Sequence, residues 1–160
     1  MAALLLILVL QSSAPDEAAL WTTIHLTAQA AIEAGNLAQS RAGSPDIRNL
    51  GKLVVRDQGE LDRRLQKLAA AAGIALVDAP KPARVQFEEL RGLQGDDFNR
   101  KFLNFSYGAC DVLRKQMADA VQRTHSASLR DLIAVFDPIV WQDQFLSGWC
   151  LGHCLKSKKP

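Results

Sequence analysis

The sequence has no excess of charge to spend on a polyanionic partner: 19 Lys+Arg stand against 17 Asp+Glu, a net of +2. Duplex nucleic acid demands a concentrated basic face, and this balance excludes it as a partner. No glycine-rich phosphate loop and no nucleophile elbow frames the Ser, His and Asp residues, so nucleophilic catalysis has no footing. Glu-x-x-His pairs are also absent: three residues before His25, His125 and His153 stand Thr22, Gln122 and Cys150. A di-metal centre inside a helical bundle needs such pairs, because i, i+3 spacing aims both side chains at one metal pair. The adjacent acids Glu88-Glu89 and Asp96-Asp97 point in different directions on a helix and make no acid/base dyad.

Long apolar runs are missing too. Residues 2–10 are uncharged and apolar, shorter than the roughly 18 residues a membrane span requires. With Gln11-Ser12-Ser13-Ala14 behind them they read as a secretory leader, residues 1–14, although no charged n-region precedes the run and Pro15 follows it. Retention through an uncleaved leader is the alternative. Either way the expected address is periplasmic or otherwise exported, with outer-membrane association as a variant. Residues 156–160 form a basic tail read as a solvated end, with contact to an anionic surface as the lesser alternative. The three cysteines, Cys110, Cys150 and Cys154, leave at least one thiol unpaired within a chain. A Cys150–Cys154 bridge would require the last helical turn to open. Cys150-Leu151-Gly152-His153-Cys154 offers three ligands where a tetrahedral structural metal site wants four, and is read as the frayed end of a helix.

What the chain has in abundance is helical periodicity. At 160 residues it is the length of one domain, without repeats or linkers to divide it. Asp16-Glu17 opens a helix whose stripe is Trp21, Ile24, Ala28, Ala31, Gly35 and Ala38, a small-residue face that predicts close approach by a bulkier neighbour. Ser44-Pro45 supplies an N-cap and a proline at the first position of a second helix, with Ile47, Leu50, Val54, Leu61, Leu65 and Leu68 on one face and Gly73 as the stop. The Gly43-Ser44 link is short enough to force antiparallel neighbours. Pro80 and Pro82 mark a longer crossover, followed by a short helical piece near Val85 to Leu93. Gly95-Asp96-Asp97 opens the third long helix, with Phe98, Phe102, Phe105, Ala109, Val112, Gln116 and Ala120 expected inward. Ser126 or Ser128 caps the fourth, whose stripe is Leu129, Leu132, Ile133, Phe136, Val140, Asp143 and Ser147; Pro138 should bend it without ending it. Trp141 and Trp149 are read as core. The expected fold is all-α: an antiparallel four-helix bundle over residues 16–155, with a longer crossover between its second and third helices.

Gly35-Asn36-Leu37-Ala38, Ser44-Pro45-Asp46-Ile47-Arg48 leading into Leu53-Val54-Val55-Arg56-Asp57-Gln58, and Leu68-Ala69 before Gly73-Ile74 run in an order that resembles a bacterial family known as domain of unknown function 4142. Leu90-Arg91-Gly92-Leu93-Gln94-Gly95-Asp96-Asp97-Phe98 and the helix containing Asp137-Pro138 match its second half, so the likeness covers roughly residues 18–147. The resemblance implies a ferritin-like four-helix bundle, usually exported and often labelled periplasmic or outer-membrane, and it implies no reaction. It also places family histidines at Gln58, Cys110 and Asp143, and a first-helix glutamate at Ala31 with a second acidic position at Glu33. Every candidate ligand position has therefore changed.

The polar residues left on or beside the stripes are His25, Asp57, Gln58, Cys110 and Asp143, the weak metal candidates of this chain. Each is sufficiently explained as a hydrogen-bonded core or boundary residue, since cysteine behaves as a small buried hydrophobe and an inward Asp can be satisfied by an amide. A mixed nitrogen and oxygen metal shell requires His25, Asp57 and Asp143 to converge. The expectation is an exported helical bundle that acts by binding or in envelope integrity and stress, non-enzymatic and without a cofactor. Envelope or membrane-surface association is its expected context, with the protein partner or small ligand left open. The alternative is a metal-binding or redox ferritin-like bundle with an altered interior ligand set.

Overall fold

The computed structural model describes residues 14–77 and 83–155; residues 1–13 of the expected leader, Pro80 and Pro82 of the crossover, and the basic tail lie outside them. Among the described residues five helices follow in order: α1 (Ala14–Arg41), α2 (Pro45–Ala71), α3 (Ala83–Gly92), α4 (Gly95–Arg123) and α5 (Ala127–His153). The protein is an all-α bundle. Ala14, the last residue assigned to the leader, is the first of α1. Among the described residues no helix is long and apolar enough to cross a membrane.

Short connections and glycine set the helix ends. Ser44 occupies the N-cap position of α2 in an extended conformation, but its hydroxyl makes no capping bond; the proline that follows and the Arg48 N–H to Ser44 C=O bond of 3.1 Å start the helix instead. At α5 the cap is chemical: Ser126 Oγ accepts from the Leu129 N–H at 3.2 Å. Gly73 and Gly95 sit at φ +69° and +58°, the left-handed region that side chains avoid, and so end α2 and begin α4.

Four long helices pack in a ring, α1 on α2 and α4, and α5 on α4 and α2, while short α3 lies against α1 and α4. Neighbours run in opposite senses. His25 meets Asp62 and Gly35 meets Gly51 between α1 and α2; Ser106 meets Ser147 and Arg114 meets Asp137 between α4 and α5. At one end of the bundle Asp16 pairs with Arg123 at 2.7 Å, and at the other the Gly43 N–H donates to Asn99 at 3.0 Å.

The small face of α1 has two partners rather than one bulky neighbour. Against α2 it meets small residues: a Cβ placed on Gly51 would lie 2.7 Å from the Ala38 Cβ and 2.8 Å from the Gly35 carbonyl oxygen. Bulk comes from α4, where Phe98, Phe102 and Leu103 fill the space beside Ala31, Ala34 and Ala38.

The inward stripe of α4 is displaced from the expected one. Phe98, Phe102 and Ala120 are buried as expected, but the positions between are Ser106, Cys110, Leu113 and Met117, whereas Val112 is 46% exposed. Over a helix of 29 residues a face drifts with respect to a fixed 3- and 4-residue count, and the Phe105 to Gln116 reading followed the wrong edge. The end of α5 is not frayed. Its last turn closes through the Cys154 N–H to Cys150 C=O bond of 2.9 Å, and Cys150, Leu151, Cys154 and Leu155 join the core.

Candidate functional site

The core is divided in two by a polar layer. One cluster holds Trp21, Ile24, Leu61, Leu65, Leu113, Met117, Phe136 and Val140; the other holds Ala31, Ala34, Ile47, Leu50, Val54, Phe98, Phe102 and Cys150. Between them, each on the inward stripe of its helix, lie Gln58 of α2, Ser106 of α4, and Asp143 and Ser147 of α5, with Cys110 of α4 on the margin. All are buried, and Gln58, Asp143 and Ser147 have no exposed surface.

The layer is wired mostly to itself. Gln58 Nε2 donates to Asp143 Oδ2 at 3.0 Å. Ser147 Oγ donates to the Asp143 backbone carbonyl at 2.8 Å, which uses its one proton, so the 2.9 Å contact with Ser106 is a bond donated by Ser106. Gln58 Oε1 and Asp143 Oδ1 have no hydrogen-bond partner among the described residues. Both are acceptors, and a carboxylate has no proton to offer them. Burial pushes the Asp143 carboxyl up to about 7, and the negative charge of Asp57 adds to this, against the Gln58 hydrogen bond and Arg56. Protonation turns Asp143 from acceptor into donor. Burial, then the Asp143 charge, drives the Cys110 thiol up to about 12, against a smaller opposing effect of Arg114. A thiol so protonated is neither nucleophile nor metal ligand at neutral pH.

Of the five weak metal candidates, Gln58, Cys110 and Asp143 come together, the positions at which the resemblance places family histidines. His25 and Asp57 do not join them. His25 Nδ1 lies 2.5 Å from Asp62 Oδ1 in a second polar cluster, which reaches the surface through Gln29 and Gln66, both donating to Asp62 Oδ2 at 2.5 and 2.6 Å. Asp57, largely covered, takes two bonds from Arg56, at 2.7 and 3.0 Å. The convergence of His25, Asp57 and Asp143 on which a mixed metal shell depends is not realised. Among the described residues no three His, Cys, Asp or Glu side chains group as metal ligands. His153 instead stacks on Trp149, with ring centroids 4.8 Å apart, and its Nδ1 lies 2.9 Å from the Trp149 carbonyl oxygen.

Asp62, Ser106 and Ser147 complete these clusters. Ser147 stood on the expected stripe; Asp62 and Ser106 were missed. The signal for Asp62 was an i, i+4 polar ladder, Gln58, Asp62 and Gln66 on α2 opposite His25 and Gln29 on α1.

A cleft of about 510 Å³ opens at the end of the bundle where α1 begins, lined by Glu17, Trp21, Ile74 and His125 among others. Its one carboxylate is already engaged. Although burial acts against it, bonds from Thr124, Trp21 and the His125 N–H hold Glu17 below the usual carboxylate range.

Outside the bundle the conspicuous feature is α5. Trp141, Phe145 and Trp149 are 52%, 55% and 48% exposed, correcting the expectation that the two tryptophans are core. Trp141 and Phe145 stack with centroids 5.7 Å apart. From Pro138 to Leu155 no Asp, Glu, Lys or Arg occurs except the buried Asp143.

No curated protein and no solved structure matches the chain. A family model does, that of Domain of unknown function (DUF4142), over residues 10–143. The matched span takes in α1, α2, α3, α4 and the first part of α5 as far as the buried Asp143. The chain belongs to the DUF4142 family.

Proposed function

We propose that this protein is an exported, non-catalytic helical bundle of the cell envelope that works by binding through the outer face of α5. The observation that carries this reading is the exposed ring series Trp141, Phe145 and Trp149 on a helix surface without a charged side chain. Surface helices ordinarily turn charged residues outward, and exposed aromatic rings gathered on one face mark contact sites. The interior supports the same reading from the opposite side. Asp143 takes a bond from the Gln58 amide, Asp62 meets His25, and the Cys110 thiol is held protonated, so the buried layer presents no activated nucleophile. Export rests on the leader of residues 1–14.

A photo-activatable phenylalanine analogue at position 145, in the chain expressed with its leader, tests this. The mature protein should be recovered from the envelope without residues 1–14, and position 145 should give a covalent adduct while the same probe at Lys67 of α2 gives none. A cytosolic species still beginning at Met1, or equal labelling from both positions, would overturn the reading.

A further inference from the structure

We infer that the outer face of α5 is the contact surface for a second copy of this chain, joined two-fold through Trp141, Phe145 and Trp149. The inference rests on the reading of that face as the working surface. Area is the first argument. An aromatic side chain offers about 150–250 Å²; half of that from each of the three rings, with Tyr107 at 45% and Val135 at 53% exposure, leaves roughly 400 Å² of apolar surface per chain. A stable dimer covers about 800 Å² per partner, of which roughly two-thirds is apolar at its core. The patch supplies most of the apolar core such an interface requires.

Charge selects the occupant. The rim carries both signs: Asp111 with Lys115, Arg114 with Asp137, and exposed Asp131 near the start of the helix. A mixed polar rim around an uncharged aromatic centre is the anatomy of a protein interface. A two-fold contact also places each patch against itself, so any net charge at its centre would oppose its own copy. This centre has none. The surface holds ridge and hollow together: one turn beyond Trp149, a Cβ on Gly152 would meet nothing within 4 Å, which leaves room for a ring from the other chain.

Light scattering on the purified mature protein across concentration tests the inference, with Phe145→Glu and Lys67→Glu as paired variants and circular dichroism as the check on folding. Both positions are exposed, so both variants should fold. The wild type and Lys67→Glu should reach twice the mass of one mature chain, and Phe145→Glu should stay at the single mass. A single mass for the wild type throughout, or a dimer that survives Phe145→Glu, would overturn the inference. Co-sedimentation with phosphatidylglycerol vesicles separates the two levels: a monomer that binds vesicles through Phe145 defeats the second copy while sparing the binding face, and a monomer that does neither defeats both.

Discussion

Helices α2 and α5 are each 27 residues long, lie side by side, and are joined at the centre of the bundle by the bond from Gln58 to Asp143. Their outer faces are opposites. α2 turns Lys52, Arg56, Arg63, Arg64 and Lys67 to solvent and engages Arg63 and Arg64 on Glu60 at 2.7 to 2.9 Å. α5 turns out Trp141, Phe145 and Trp149. The pair shows that inward design is shared between the helices, whereas from Pro138 on α5 exposes no charged side chain and leaves a second, aromatic face available for work.

The comparison is sharpened most by the bond that joins the two helices. Asp143 carries a folded-state carboxyl raised to about 7 from an ordinary value near 3.8. Below about pH 4 both folded and unfolded chains hold the proton and no penalty exists. Between those values only the folded chain holds it, so its contribution to stability falls as pH rises, and the loss is complete above about 7. Chemical denaturation of the wild type minus Asp143→Asn should therefore show a difference growing from pH 4 to pH 8, on the order of 4 kcal/mol at most, with the variant the more stable at pH 8. A flat difference would mean that Asp143 is ionised inside the bundle without penalty.

Glycine gives the next contrast. Gly51 of α2 has no room for a side chain, so Gly51→Val should cost about 3 kcal/mol in denaturant titration. Gly152 of α5 has open space, and Gly152→Ala measured in the monomeric Phe145→Glu background should change stability by less than about 0.5 kcal/mol. Equal costs at the two sites would break the contrast between a filled and an open helix face.

Thiols report the interior with a smaller effect. Cys110 and Cys150 are buried and both pushed up to about 12, Cys150 chiefly by burial and then by its bond with Cys154, whereas Cys154 is partly exposed. Native protein at pH 8 should lose one thiol to a maleimide quickly and the other two only in denaturant; rapid loss of three would contradict the closed last turn. The smallest effect belongs to the outer face of α2. Arg63 and Arg64 hold Glu60 down to about 2 through their hydrogen bonds, yet these ion pairs lie at the surface, and Glu60→Gln should leave the melting temperature unmoved within error.

Much of this was legible in the sequence, and the failures have a common cause. The apolar positions of α2 were legible because charged residues alternate with them and give the periodicity contrast. Gln58 and Asp143 stood out for the same reason, as polar residues at apolar positions. Contrast fails where both sides are alike. On α5 the outward Trp141 and Trp149 could not be told from core, because rings at helical spacing look the same from either side. On α4 the choice between Val112 and Leu113 depended on a drift of the face that only the packed neighbours fix. Asp62 hid behind its exposed neighbours Arg63 and Arg64, and its burial depends on His25 and Gln29 of another helix. That three helices bring Gln58, Cys110 and Asp143 together is a tertiary fact that no single stripe contains.

Hydroxyl-radical footprinting with mass spectrometry, run on the mature protein from dilute to concentrated solution, tests most directly whether the outer face of α5 is the working surface. Trp141, Phe145 and Trp149 should be oxidised at low concentration and protected as concentration rises, while Val112, equally exposed on α4, keeps a constant rate. Constant oxidation of the three rings at every concentration, or protection that extends to Val112, would contradict the account.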